Sequence, residues 1–382
     1  MTFGRPSITE RPATIPFTAE QQGGANVEIG ICVASHIGDI DYVIRAEALG
    51  YASAWLADSQ MIWSDCYATL ALAADRTERI RLGTGVAVTG TRPAPVTAAA
   101  IATINALAPG RTFLGVGAGN TALRIMGRPP QRIAAFGDYL ATLRPLLRGE
   151  EATDSTDPAH PSIRHLMPDQ GFVNFDDPIP LYVSGFGPRS LGLAGQYGEG
   201  AVLAMPPHPK VMEAFWTAIE RGAESAGRKL NRSEFRTTAL TAVSVLDPGQ
   251  DAGSPRILEE CGAMAMANVH FAYDQWRQLG KEPPASLAPI WDEYTDMLAG
   301  FPQEKLHQRV HAGHNCWVIP EEKRFVTGEL IESNCTVGTA EELIRRIRAL
   351  NSAGLDEIIL LPAFEPRYRV LERVAEDVLS QL

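Results

Sequence analysis

Residues Ile80–Thr121, IRLGTGVAVTGTRPAPVTAAAIATINALAPGRTFLGVGAGNT, read as strand, helix and strand in succession, which is one parallel βαβ unit. Ile80 to Val88 is β-branched and apolar and Thr112 to Val116 is apolar again, each run carrying glycines where the backbone turns or another group comes close. Between them Pro93 to Leu107 is alanine-rich, with Val96, Ile101, Ile104 and Leu107 assigned to one buried face and Pro109-Gly110 as the stop. Gly115-Val116-Gly117-Ala118-Gly119 invites comparison with a dinucleotide-binding turn. The third glycine of that fingerprint is missing, however, and the motif lies deep in the chain instead of after the first strand. A turn facing a cofactor is the better reading, with glycines that merely admit close packing as the alternative.

The same alternation extends in both directions. Val27 to Val33 is an apolar strand, followed by a helix that Asp39 is expected to cap and Gly50 to end. Ala54 to Asp58 is a second strand and Ser64 to Asp75 a second helix. After the opening unit come an amphipathic helix (Pro130 to Gly149), a polar excursion (Glu150 to Pro178) whose conformation the sequence leaves open, and strands at Ile179 to Ser184, Gly200 to Ala204 and Phe235 to Leu246. Helices are expected to Tyr197 and from Pro209 to Gly227. The eighth strand, Leu355 to Leu361, follows a helix opened by the capping box Thr339-Ala-Glu-Glu342, and a helix from Pro366 closes the chain. Eight short, nearly continuous apolar strands alternating with helices predict a TIM (β/α)8 barrel over 27–382. A long helical insertion, 247–337, falls between strands 7 and 8, on the face where barrels carry their chemistry, and a lid is its natural role.

A formal charge of −11 argues against nucleic acid or an anionic membrane as partner. Five cysteines, scattered and without a C-x-x-C pair, argue against a disulfide framework and fit a reducing cytoplasm. Residues 1–26 lack the apolar core of a signal peptide and are expected to be a flexible arm, and no apolar run approaches the length of a membrane span. Small molecules remain as the expected partners.

With these elements in order, the chain resembles the bacterial luciferase-like flavin monooxygenase family, in the branch similar to methylene-tetrahydromethanopterin reductase. The carriers are RAEALGYASAWLAD, LGTGVAVTGTRPAPVTAAAIATINALAPGR, FLGVGAGN with the downstream GRPP, PIPLYVSGFGPRSLGLAGQYGEGAV and VGTAEELIRRIRALNSAGLDEIILLP. The resemblance implies a barrel that binds reduced FMN, or a deazaflavin relative, at its C-terminal mouth, usually as a homodimer or homotetramer. It places Gly85-Val86 at the family's third-strand bulge, where a non-proline cis peptide often backs the flavin ring. Gly85 is then expected to leave room for that ring.

Further site residues follow from the strand ends. Val183-Ser184-Gly185-Phe186-Gly187-Pro188-Arg189 runs from a strand into a helix, which offers backbone N–H groups, a hydroxyl and a guanidinium to a phosphate. Gly117, Asn120 and Thr121, at the end of the fourth strand, could meet the ring edge or ribityl chain, although either polar residue could be an ordinary helix cap. Where the luciferase branch carries an acid followed by histidine, this chain has Asp58-Ser59. Attention therefore shifts to Asp58, Ser59, His36 and the insertion histidines His270, His311 and His314 as catalytic candidates. His311, His314 and Cys316 lack a third or fourth ligand at fitting spacing, so no metal is expected. Trp276, Trp291, Tyr294, Trp317 and Phe325 could wall an apolar pocket, two of the five being expected to face substrate. The leading expectation is a two-component monooxygenase supplied with reduced FMN by a separate flavin reductase, using O2 to oxygenate a small organic substrate. The alternative is a deazaflavin-dependent hydride transferase. That cofactor's acidic tail calls for more cations than the sequence offers at Arg189 and Lys210.

Overall fold

Strands that are apolar on both faces need cover on both sides, and a barrel supplies it by packing its interior within and helices without. The computed structural model describes residues 27–154, 159, 161–203 and 207–382. The expected N-terminal arm, 1–26, and the last residue of the expected sixth strand, Ala204, lie outside the described residues. Eight parallel strands close on themselves in sequence order: β1 (Glu28–Val33), β2 (Ser53–Leu56), β3 (Arg81–Val88), β4 (Thr112–Gly117), β5 (Leu181–Gly185), β6 (Gly200–Leu203), β7 (Arg236–Thr241) and β8 (Glu357–Leu360). The ring is completed where β1 pairs with β8, Ile29 opposite Ile358, and with β2, Ile31 opposite Ala54. The fold is the expected TIM barrel.

Several local expectations change. Asp39 does not cap the first helix, Asp41–Ala48; its carboxylate is taken instead by Arg367 at 2.7 Å and the Tyr368 hydroxyl at 2.6 Å, tying the β1 exit to the terminal helix. Val96 is half exposed, because the inward face of Ala94–Leu107 is made by Ala94, Ala98, Ile101 and Ala102, out of phase with it. On the same face buried Asn105 donates to the carbonyls of Asn174 and Asp177, which pins the polar excursion to the barrel wall. Within that excursion Ala152–Thr153 and Ser162–Ile163 pair as a short antiparallel ladder.

The seventh strand is shorter than its apolar run. It leaves the barrel after Thr241, and Val243–Val245 pairs in parallel with Thr336–Gly338, so the two ends of the insertion are hydrogen-bonded to each other. Between them lie the helices Pro255–Leu279, Ala288–Ala299, Leu306–Val310 and Gly328–Asn334. Their apolar faces share one continuous cluster with the barrel interior: Trp55, Phe113 and Tyr182 from the strands join Ile257, Met264, Val269, Trp291 and Tyr294 from the insertion. The insertion therefore packs as part of the molecule's core.

Candidate active site

The mouth of the barrel, where β1, β2, β4 and β8 give way to loops, meets the segment 306–317 of the insertion around a cavity of about 810 Å³. That is within the range of pockets for small ligands and cofactors. Sequence-distant residues converge there: His36 after β1, Trp63 and Ser64 after β2, Met126 after β4, His311 and His314 from the insertion, and Phe364 after β8. Three of the expected catalytic candidates, His36, His311 and His314, thus line one cavity. Exposed His36 lies with its ring centroid 5.9 Å from that of Phe364, and His314 lies at the same distance from Trp63.

The insertion histidines are set by a buried polar network. Asp274, on Pro255–Leu279, holds His311 Nε2 at 2.9 Å and lies 3.4 Å from the Arg124 Nε. In the same way Glu322 engages His270 Nε2 at 3.1 Å and Arg309 at 3.2 Å. Burial holds His311 below the ordinary imidazole value, outweighing the opposing hydrogen bond that it donates to Asp274, and burial with the neighbouring His311 and His270 holds His314 well below it. Both imidazoles are neutral at pH 7. Neutral His311 then donates Nε2–H to Asp274, while its Nδ1 has no hydrogen-bond partner among the described residues. The nearby thiol of Cys316 receives the Trp63 indole N–H at 3.2 Å, and burial pushes Cys32 up to about 12.

Asp58 has a different task from the one expected. Its buried carboxylate accepts the Val88 N–H and pairs with Arg92, which also reaches Asp65 at 2.9 Å. Through Oδ2 the carboxylate fixes the exit of β3. Half-buried Ser59 uses its carbonyl to accept the N–H groups of Ile62 and Trp63, shaping the loop that carries Trp63 to the cavity.

The third-strand bulge is present, as a register shift between Thr84 and Ala87 and a cis peptide at Gly85-Val86. Gly85 itself faces inward: an added Cβ would stand 2.6 Å from the Trp55 Cβ, so the space it leaves is filled by Trp55. Val86 packs, partly buried, against the barrel-interior cluster, its methyl group 2.8 Å from where a Gly117 Cβ would lie, with Ser184 Cβ 3.5 Å from the same point. Val86, Gly117 and Ser184 are thus brought together from three strands. Val183, the next residue along β5, points outward and is fully buried in the layer between strands and helices, which follows from strand alternation and removes its side chain from the mouth.

A family model described as luciferase-like monooxygenase matches residues 29–357. The chain belongs to the luciferase-like monooxygenase family. Among similar proteins, an F420-dependent glucose-6-phosphate dehydrogenase from Intrasporangium calvum is 32% identical over 370 residues, covering 90% of this chain and 94% of that one. A 5,10-methylenetetrahydromethanopterin reductase from Methanolobus tindarius is 35% identical over 189 residues, 49% of this chain and 56% of that one. The coenzyme F420 dependent tetrahydromethanopterin reductase structure from Methanopyrus kandleri superimposes with a TM-score of 0.65 at 21% identity, over 93% of this chain and 99% of that one. An FMN complex of a type II Baeyer-Villiger monooxygenase from Pseudomonas putida gives 0.59 at 18% identity, over 94% and 99%. The last two likenesses concern fold.

In this luciferase-like barrel the remaining residues named from the sequence fall into two groups. Asn120 and Thr121 open the short helix Asn120–Arg124 at the mouth, half-buried and with no side-chain capping bond, so their side chains are not spent as helix caps. Gly185 ends β5 and Gly187 is the N-cap of Pro188–Tyr197, its N–H taken by the Ser190 hydroxyl at 3.3 Å. Phe186 stacks on Phe271 of the insertion, 4.6 Å between centroids. Pro188 and exposed Arg189 line a separate groove of about 790 Å³ between helices on the barrel's outer side. Of the five insertion aromatics, Trp317 alone lines the cavity; Trp291, Tyr294 and Phe325 are core, and Trp276 lies part-exposed beside Trp291. Trp63, Arg124 and Asp274 were not singled out from the sequence, since each gains its meaning from a partner far along the chain.

Proposed function

We propose that the protein is a deazaflavin-dependent oxidoreductase of the luciferase-like family, exchanging a hydride between a coenzyme of the F420 type and a small organic substrate without oxygen. The observation that carries this reading is a cofactor-sized cavity edged by several imidazoles, two of them neutral, where a substrate oxygen must gain or lose a proton as its carbon loses or gains hydride. The relatives named as F420-dependent across nine-tenths of the chain support the same choice.

The residues present fit such a group. Val86, Gly117 and the Ser184 hydroxyl would face the ring, Asn120 and Thr121 its polar edge, and the amides opening Pro188–Tyr197 the phosphate end, while Arg189 lies in the outer groove and not beside them. When bound, a deazaflavin supplies a ring carbon that gives or takes a hydride as a two-electron step. The protein's part is positioning and proton transfer. His36, His311 and His314 border the cavity as the candidate proton carriers, and Asp274 fixes the His311 ring through Nε2. Trp63, Trp317 and Phe364 exclude water from one side of the cavity.

An oxygen electrode tests the choice between deazaflavin and FMN chemistry. The protein should leave the rate at which free reduced FMN consumes oxygen unchanged. A protein-dependent rise accompanied by an oxygenated product would replace this reading with the two-component monooxygenase.

A further inference from the structure

The geometry points to the groove on the barrel's outer side as the place where the coenzyme's acidic tail is held, its carboxylates met by Arg189, Arg221 and Lys210. This rests on the deazaflavin reading and assigns that cofactor a second binding surface, apart from the mouth. The groove, about 790 Å³, lies between the helices Ile133–Leu146, Pro188–Tyr197 and Pro209–Ser225. Pro188 lines it and also opens the helix whose first amides would meet the phosphate end, so a chain leaving that phosphate outward has the groove as its continuation. Gly137, Gly192 and Gly222 are among the lining residues; backbone therefore forms much of the floor, which leaves room for an extended chain.

Arg189 and Arg221 both line the groove and are exposed, and neither guanidinium has a hydrogen bond or ion pair among the described residues. Gly192 packs beside Ala218 and Gly222, which sets Arg221 one to two helical turns beyond Arg189, roughly 5 to 9 Å at the rise of an α-helix. One tail can therefore meet both. Lys210 stands four residues before the lining residue Ala214 and Arg221 seven after it, so the three share one face of Pro209–Ser225 and the lysine extends the cationic run. Asp138 is the single carboxylate in the lining. Glu213 and Glu220, on the same helix as Arg221, are drawn off by Arg232, which reaches Glu220 at 2.6 Å and Glu213 at 3.4 Å. In a chain of formal charge −11, two arginines left without acidic partners in one groove make it a local attractor for an anion. Each exposed contact is weak alone, but a tail tethered through its ring and phosphate engages several of them at a high effective concentration.

Fluorescence anisotropy of the deazaflavin itself reads binding without turnover. The full-length protein is titrated with intact F420 and, separately, with a form that keeps the ring, ribityl chain and phosphate but lacks the acidic tail. At low salt the wild type should hold intact F420 roughly tenfold or more tighter than the tail-less form, and about 0.5 M NaCl should erase most of that difference. Arg189→Gln combined with Arg221→Gln, two exposed positions that make little demand on folding, should bring the two forms within about threefold of each other while the affinity for the tail-less form stays within about twofold of wild type. Equal affinity for both forms in the wild type, or a tail preference that survives in the double variant, overturns the inference. So does a change in the double variant's oligomeric state by light scattering, which would give the groove to a second copy of the chain. Binding of the tail-less form with no effect of the tail removes the groove's role alone, whereas failure of both forms to bind removes the deazaflavin reading with it.

Discussion

A Cβ at Gly85 would meet the Trp55 Cβ at 2.6 Å and that residue's carbonyl carbon at 3.0 Å, so the glycine serves the packing of the barrel interior. From the sequence it was expected to spare a cofactor ring, and Gly85→Val to harm binding more than folding. The structure reverses that order. Gly85→Val should cost about 1 to 3 kcal/mol of stability, the usual penalty for overpacking, seen as a lowered melting temperature of the cofactor-free protein. An unchanged melting temperature would mean that Trp55 yields. The sequence shows where a side chain is missing but not what fills the gap, and here the filler is 30 residues earlier. The same limit hid the Asp274–His311 pair. Because burial lowers the folded-state pKa of His311 and His314, the unfolded chain binds more protons as pH falls below the unfolded imidazole value of about 6.5. Their contribution to stability is therefore complete above that pH and lost as pH drops toward the lowered folded values. Melting curves should show a fall from pH 7 to pH 5 that is shallower in His314→Gln; parallel slopes would assign the acid sensitivity to other groups.

At the scale of elements, the local pattern located every barrel strand, because an apolar run bounded by glycine or proline is a property of neighbouring residues. Strand β7 was overextended for the opposite reason: Phe235 to Leu246 carries no proline or glycine to mark a break, and only its partner at Thr336–Gly338, some 90 residues on, reveals that Val243–Val245 belongs to a second sheet. The insertion was expected to move as a lid. Its shared cluster with Trp55, Phe113 and Tyr182 makes displacement of the whole costly in exposed apolar surface, and we confine the proposed motion to the cavity-lining segment 306–317. Trypsin offers a direct comparison, since Lys305 borders that segment and Lys281 sits in the link between two insertion helices, both exposed. Bound cofactor should slow cleavage at Lys305 several-fold and leave Lys281 unaffected. Equal effects at both sites, or at neither, would contradict a local lid.

For the molecule as a whole, the alternation of strand and helix was enough to reach the closed barrel, and the order of motifs was enough to reach the family. The choice of cofactor was not legible, because it depends on how loops from β1, β2, β4, β8 and the insertion meet around one cavity. Those loops bring neutral imidazoles and aromatic rings to the mouth, while Asp58, the acid that the luciferase pattern made a candidate base, is held by Arg92. The central claim is that this mouth is built for a deazaflavin. Equilibrium dialysis of the protein against F420 and FMN in competition measures it most directly: the account predicts retention of F420 with at least tenfold preference over FMN, and saturable binding of FMN with no retention of F420 would contradict it.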